Sequence, residues 1–193
     1  MTTREQYIPG PANAQVRKDG EKWTLILVRQ LHHPPKKVWQ ALTDPASLRE
    51  WAPFDADGSL GKAGTKVKLT TVGAPALHVT ETTVTRADAP RSLEYNWGGF
   101  DMRWQLEALR GGTRLTLWTN IDRRYISMGA AGWHISLDVL DRFLAGEPIG
   151  RIVGPEAMKF DGWKRLNAEY AKQFAGESPS QPPKAAQEKR TDQ

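Results

Sequence analysis

The sequence of 193 residues contains no cysteine. This absence excludes disulfide bonds, cysteine nucleophiles and thiolate metal sites together. It also fits a reducing compartment, and we therefore expect a cytoplasmic location.

Long apolar runs are absent as well. No stretch approaches the roughly 18 apolar residues that a membrane helix requires, so we expect no insertion into a membrane. The first 15 residues hold no apolar segment of the kind found in signal peptides, and we expect no secretory signal.

Motifs that bind metals, phosphates or acyl groups are also missing. The chain has no HExxH, GxxxxGK[ST], GxGxxG or GxSxG pattern. His32 and His33 are adjacent, and on a strand they point to opposite sides, so they cannot jointly bind one metal ion. We expect neither a metal nor a cofactor.

Basic residues give a net charge of +5 but are scattered along the chain. A surface that binds nucleic acid usually gathers its basic residues into a patch or stripe. We therefore interpret the charge as solubilising, and we expect no nucleic acid partner.

Both ends of the chain have few large apolar residues. Residues 1–20 include Pro9, Gly10 and Pro11 and are predicted to form a flexible arm. Residues 176–193 contain three prolines and are predicted to be disordered. The remaining residues, 21–175, suit one domain, with 152–174 as a C-terminal helical extension.

The first half of this domain predicts one strand and two short helices. The stretch from Trp23 to Leu31 is rich in apolar and β-branched residues, as in a strand. Prolines at 34, 35 and 45 then divide the chain into two short helices, the second running from Pro45 to Trp51.

Alternation of apolar and polar residues then predicts several antiparallel strands. An example is Leu93, Tyr95 and Trp97, which alternate with polar neighbours. The pairs at 98–99 and 111–112 are both Gly-Gly and are predicted to form hairpin turns.

After residue 125 the apolar period changes to steps of three and four, which predicts a helix of about five turns. Its apolar positions are Ile126, Ala130, Trp133, Leu137, Leu140 and Leu144. A further helix shows an apolar side from Phe160 to Phe174. We therefore predict an α+β fold in which a curved antiparallel sheet wraps around the long helix and encloses a cavity.

Three segments resemble the SRPBCC or START-like superfamily, which has the helix-grip fold of the birch-pollen allergen. They are the first strand, PPKKVWQALTDPASLREW at 34–51 and GWHISLDVLDRFLAGEPIG at 132–150. Pro90, Leu93 and Trp97 also fit a Pro-x-x-Leu-x-x-x-Trp strand. The chain is most similar to the bacterial branch called activator of Hsp90 ATPase homologue-like.

This resemblance implies an internal apolar cavity that binds a small apolar molecule. It does not imply one activity, because the superfamily includes lipid carriers, hormone receptors, polyketide aromatase/cyclases and co-chaperones. We consider a carrier or sensor first, a cyclase/dehydratase- or hydrolase-type enzyme second, and a module that stimulates a chaperone ATPase third. A homodimer is compatible with the sequence.

Seven residues are predicted to line the cavity and bind the ligand, although large aromatic rings also fill ordinary cores. They are Trp39, Trp51, Tyr95, Trp97, Trp104, Trp133 and Leu137.

Three residues are candidates for catalysis if the protein is an enzyme. His134 follows Trp133 on the long helix and could face the cavity mouth, the sheet edge or solvent. Glu81 shares the parity of Val79 and could face inward, or lie in solvent at a strand end. Tyr95 would act from within the cavity.

Overall fold

The computed structural model describes residues 4–176. Most of the tail predicted to be disordered, from residue 177 onward, lies outside the described residues. The strands are β1 Gln15–Asp19, β2 Lys22–Leu31, β3 Phe54–Ala56, β4 Lys66–Thr71, β5 Val79–Thr83, β6 Arg86–Asp88, β7 Ser92–Trp97, β8 Phe100–Leu109 and β9 Gly112–Asn120. The α-helices are α1 Pro35–Thr43, α2 Pro45–Trp51, α3 Ile126–Leu144, α4 Gly154–Lys159 and α5 Asp161–Ala175.

The strands form two antiparallel sheets that together make a curved wall. The larger sheet has the order β1-β2-β9-β8-β7-β6, and the smaller one has the order β3-β4-β5. Backbone N–H groups join them, since Asn96 donates to Thr82 Oγ1 at 3.2 Å and Thr85 donates to the carbonyl of Glu94 at 2.9 Å. The helix-grip prediction is confirmed by this curved sheet and the long helix α3 that packs on it.

The register of the larger sheet aligns its apolar residues on one face. Leu27 pairs with Leu117, Leu117 with Trp104, and Trp104 with Leu93, so that one buried row crosses four strands. All four side chains are almost fully buried. Burial of each such side chain contributes about 1.5–3 kcal/mol, which makes this row a main source of stability.

Proline and a capping aspartate set the two short helices. Pro35 and Pro45 each occupy the first turn, where a missing N–H has no helical partner to lose. Asp44 ends α1 and caps α2, because its carboxylate accepts a hydrogen bond from the N–H of Ser47 at 2.8 Å. Both helices begin where the sequence predicted.

The two hairpins also form at the predicted glycines. Gly98 and Gly99 both have positive φ, 59° and 93°, as the tightest hairpin turns require. In the second hairpin Gly112 is already the first residue of β9, so the turn lies one residue earlier than predicted. A Cβ at Gly112 would lie 2.1 Å from the carbonyl oxygen of Leu31, so only glycine fits there.

The predicted flexible arm differs from the structure over most of its described length. Residues 15–19 form β1, which pairs along β2. The preceding residues 7–14, here called the N-terminal segment, pack on α5. Tyr7 is buried and stacks on Phe160 with ring centroids 5.8 Å apart. The low apolar content of the arm did not predict this packing, because polar side chains of α5 bind the backbone of the arm and few apolar contacts are needed.

The C-terminal extension consists of two helices, since Phe160 has an extended backbone between α4 and α5. Trp163, Leu166 and Tyr170 are the buried residues of α5, as the apolar spacing predicted. This face packs on α3. The long helix is therefore covered from both sides.

Candidate ligand cavity

An apolar cavity of about 400 Å³ lies between α3, α4 and the end of β4. Helix α3 contributes one wall through Met128, Gly132 and Ser136, and the segment from Ile152 to Met158 contributes another. The remaining lining comes from Pro53, Thr71, Gly73, Ala74, Pro75, Trp97, Trp133 and Trp163. None of these described side chains carries a charge.

Small residues on α3 leave this space open. Gly129, Gly132 and Ser136 recur at steps of three and four, so they share a face of the helix. A Cβ added at Gly132 would meet no atom within 4 Å. A Cβ at Gly129 would instead lie 2.4 Å from the end of the Ile121 side chain. Gly132 therefore borders the empty volume, whereas Gly129 is packed.

Two tryptophan rings form the inner wall and connect the cavity to the core. Trp97 and Trp133 meet edge to face, with centroids 6.1 Å apart and an interplanar angle of 86°. Trp133 meets Trp104 at 5.8 Å, and Trp104 meets Trp51 at 5.9 Å, both in similar edge-to-face contacts. Such pairs contribute about 0.5–1.5 kcal/mol beyond their area burial. The rings are thus held in fixed orientations.

Three of the four indole N–H groups in this cluster are bonded within the protein. Trp97 Nε1 donates to Thr71 Oγ1 at 3.1 Å, and Trp104 Nε1 donates to the Tyr95 hydroxyl at 3.3 Å. Trp51 Nε1 donates to the carbonyl oxygen of Ala41 at 2.9 Å. These bonds fix the ring positions and leave apolar ring surface toward the cavity.

Of the seven residues predicted to line a cavity, only Trp97 and Trp133 border the cavity described above. The other five are buried in the packed core, because they fill with one another the space that we expected them to surround. They are Trp39, Trp51, Tyr95, Trp104 and Leu137. The lining from 71–75, α4 and Trp163 was not predicted, although the small residues beside Trp133 on α3 were a signal for it.

His134 lies between α3 and α5 and does not line the cavity. Its Nδ1 is 2.8 Å from the hydroxyl of Tyr170, and its Nε2 is 3.6 Å from a carboxylate oxygen of Asp138. Burial lowers the pKa of His134 to about 4, and the Asp138 carboxylate only partly offsets this. The cavity-mouth and solvent alternatives are both wrong, because the 100° step from Trp133 turns the imidazole toward α5, where it is buried.

Asp138 is the centre of this buried polar group. It accepts a hydrogen bond from the Tyr7 hydroxyl at 2.6 Å and lies 3.6 Å from Arg29 Nε. Burial, followed by the negative charge and hydrogen bond of Asp138, raises the pKa of Tyr7 far above its usual range. The group ties the N-terminal segment, β2 and α3 together, and we assign it a structural role.

The other two catalytic candidates also lie away from the cavity. Glu81 is exposed on β5 and pairs with Lys68 at 3.7 Å, so the inward alternative is wrong. Tyr95 is buried, and burial raises the pKa of its hydroxyl, which therefore stays protonated at neutral pH. The three candidates occupy three different parts of the fold and do not form one site.

Neither a membrane segment nor a metal site was found over residues 4–176. None of the helices there has the length and apolarity of a membrane-spanning segment. No three His, Asp or Glu side chains in the same residues are grouped as metal ligands.

Comparison with known proteins agrees with this architecture. The family model described as "Activator of Hsp90 ATPase homolog 1-like protein" matches residues 32–145. No curated protein shows a significant match to the chain.

Several solved structures share the fold. EF2215 from Enterococcus faecalis, a conserved protein of unknown function, has a TM-score of 0.64 and 17% identity, covering 86% of this chain and 93% of that chain. CalU16 from Micromonospora echinospora has a TM-score of 0.62 and 20% identity, covering 84% and 98%. SSP2350 from Staphylococcus saprophyticus has a TM-score of 0.58 and 20% identity, covering 67% and 98%. At these identities the likeness concerns the fold alone.

Proposed function

The chain belongs to the family of Activator of Hsp90 ATPase homolog 1-like proteins, and on that premise we propose that it binds a small apolar molecule in the cavity beside α3. The observation that carries this proposal is the uncharged lining of a volume of about 400 Å³. Pockets for small molecules commonly occupy about 300–1,000 Å³ and are lined mainly by apolar and aromatic side chains.

The two tryptophans also favour a flat ligand. Because the rings of Trp97 and Trp133 are nearly perpendicular, a planar molecule can stack on one ring while its own face or edge meets the other. Aliphatic contacts from Met128, Ile152 and Met158 complete the lining, and methionine adapts readily to ligands of different shape.

The enzymatic and chaperone alternatives gain no support from this geometry. His134, Glu81 and Tyr95 all lie outside the lining, so no acid or base among them can reach a molecule in the cavity. The chaperone alternative rests on the family description.

Filling the cavity tests the proposal. Gly132→Leu places a side chain in the open volume, and a helix tolerates leucine better than glycine by about 1 kcal/mol, so the fold should be retained. We expect the uncharged fluorescent probe N-phenyl-1-naphthylamine to bind the unmodified protein saturably and to bind Gly132→Leu at least tenfold more weakly.

Ala168→Leu is the matched control, because it adds the same side chain on the exposed surface of α5. This variant should bind the probe as the unmodified protein does, and circular dichroism should show both variants folded. Equal binding by Gly132→Leu would place the probe elsewhere and refute the proposal, as would absence of saturable binding.

A further inference from the structure

One polar side chain in the cavity wall has no partner. Ser136 is only 3% exposed, yet among the described residues its hydroxyl neither donates nor accepts a hydrogen bond. Its Oγ is not one of the fully buried unpaired atoms of these residues, so the hydroxyl opens to the cavity and is not sealed in the core. Since Ser136 lines the cavity, a ligand can supply the missing bond.

The second hydroxyl of the lining indicates which kind of ligand atom fits. Thr71 Oγ1 already accepts a hydrogen bond from Trp97 Nε1, which leaves its own proton without an acceptor in the described residues. Thr71 therefore has its hydroxyl proton free to donate, and the hydroxyl of Ser136, which has no partner in the described residues, can donate as well. No carboxylate or other anionic acceptor lines the space to compete for them.

We propose that Ser136 determines ligand specificity by donating a hydrogen bond to a carbonyl-type oxygen on an otherwise apolar, flat molecule. This inference rests on the proposed function and adds the chemical class of the ligand. Ser136 acts by positioning and selecting the ligand, since the apolar walls bind the rest of the molecule.

Fluorene and 9-fluorenone provide a matched pair of probes, because they share one planar skeleton and differ by a methylene and a carbonyl. We expect the unmodified protein to bind 9-fluorenone about three- to tenfold more tightly than fluorene, the range of one net hydrogen bond. Displacement of bound N-phenyl-1-naphthylamine, which is excited at wavelengths beyond the absorption of fluorene, gives both dissociation constants.

Ser136→Ala should remove this preference and leave the affinity for fluorene unchanged. Because alanine removes only a hydroxyl without a partner in the described residues and favours a helix more than serine does, the variant should fold with undiminished thermal stability. A role in packing alone would leave the ratio of the two affinities unchanged, so the ratio separates packing from recognition.

Ser127→Ala is the comparison variant, since it makes the same substitution on α3 outside the cavity lining. Loss of the preference in Ser136→Ala but not in Ser127→Ala supports the inference. It is overturned if the unmodified protein shows no preference, if the preference survives Ser136→Ala, or if Ser127→Ala removes it as well. Binding of neither probe would instead contradict the proposed function itself.

Discussion

At the scale of single residues, the buried imidazole of His134 makes stability depend on pH. Its pKa in the folded protein is about 4, below the value of 6.5 for an exposed histidine. The unfolded chain therefore binds a proton more readily as pH falls, so the stabilising contribution is complete above pH 6.5 and declines toward pH 4. The charged and titratable groups that face it are Asp138, Arg29, Arg165, Glu169 and Tyr170.

We expect the free energy of unfolding to fall by up to roughly 3 kcal/mol through His134 between these pH values, since one pKa unit corresponds to about 1.4 kcal/mol. His134→Gln should remove this part of the slope, because glutamine stays neutral and can still bond Tyr170. Urea unfolding at several pH values measures the effect. His78→Gln is the control, since His78 is exposed, and an unchanged slope in His134→Gln would assign the dependence to other groups.

For single residues, the sequence pattern predicts burial well, but it predicts poorly which part of the structure each buried side chain contacts. The spacing on α3 correctly placed Trp133 and Leu137 inside the fold. It could not show that Leu137 meets packed core while Trp133 meets a cavity, because both positions look alike in an apolar stripe. The environments of His134 and Glu81 depend on which other element covers their helix or strand. The spacing of apolar residues within one element does not show this.

At the scale of elements, the N-terminal segment lies against the first turn of α5 at Gly162. A Cβ there would lie 2.7 Å from Pro9 Cδ and 2.5 Å from the Phe160 ring. Nearby, Arg165 donates to the carbonyl of Pro9, and Ala12 donates its N–H to Glu169 at 3.1 Å. Because Gly162 in the first turn of α5 has no side chain, the N-terminal segment can lie along this helix.

We expect Gly162→Ala to destabilise the protein by about 1–3 kcal/mol, despite the better helix propensity of alanine, because crowded sites respond in this way. Thermal unfolding measures the loss. In the background of Pro9→Ala, which removes the Pro9 ring atoms and leaves the Phe160 contact, the same substitution should cost less. Equal costs in both backgrounds would show that the contact with Pro9 does not limit the packing.

Elements with strong local signals were predicted well. The proline-started helices, the Gly-Gly hairpin at 98–99 and the long helix agree with the structure because each depends on local backbone chemistry. Strand β1 was missed because its residues are mostly polar and it becomes a strand only by pairing with β2. The break at Phe160 was missed because the apolar spacing continues through it.

At the scale of the whole molecule, β1 protects the edge of β2. Five residues of β1 pair with β2, and the polar side chains of β1 then form the outer edge of the sheet. The N-terminal segment before β1 also joins α3 and α5, through Tyr7 to Asp138 and through the N–H of Asn13 to the Tyr170 hydroxyl. Both functions depend on residues 7–19.

Deletion of residues 1–20 should therefore leave β2 as an unpaired edge and lower stability by several kcal/mol. Exposed strand edges promote association between chains, so we also expect larger species than for the intact chain. Size-exclusion chromatography with light scattering and thermal unfolding measure both effects. A deletion of residues 1–6, which keeps Tyr7 and β1, should change little, and similar behaviour of the two deletions would contradict this role of β1.

The position of the cavity also depends on packing across the whole molecule. Its walls come from β4, β7, α3, α4 and α5, which are far apart in sequence, so no local pattern describes it. The resemblance predicted an internal cavity between the sheet and the long helix, but Trp51 and Trp104 pack in that space, and the cavity lies instead at the outer side of Trp97 and Trp133.

The chain of four indoles from Trp51 to Trp97 also has an optical consequence. Centroids about 6 Å apart allow an excited indole to pass its energy to a neighbour faster than it emits light. Emission from the whole cluster then reports the surroundings of its least buried member, Trp97. A molecule in the cavity that accepts this energy would quench the emission of the buried indoles as well as that of Trp97. A single bound molecule would therefore change the intrinsic fluorescence of several tryptophans at once.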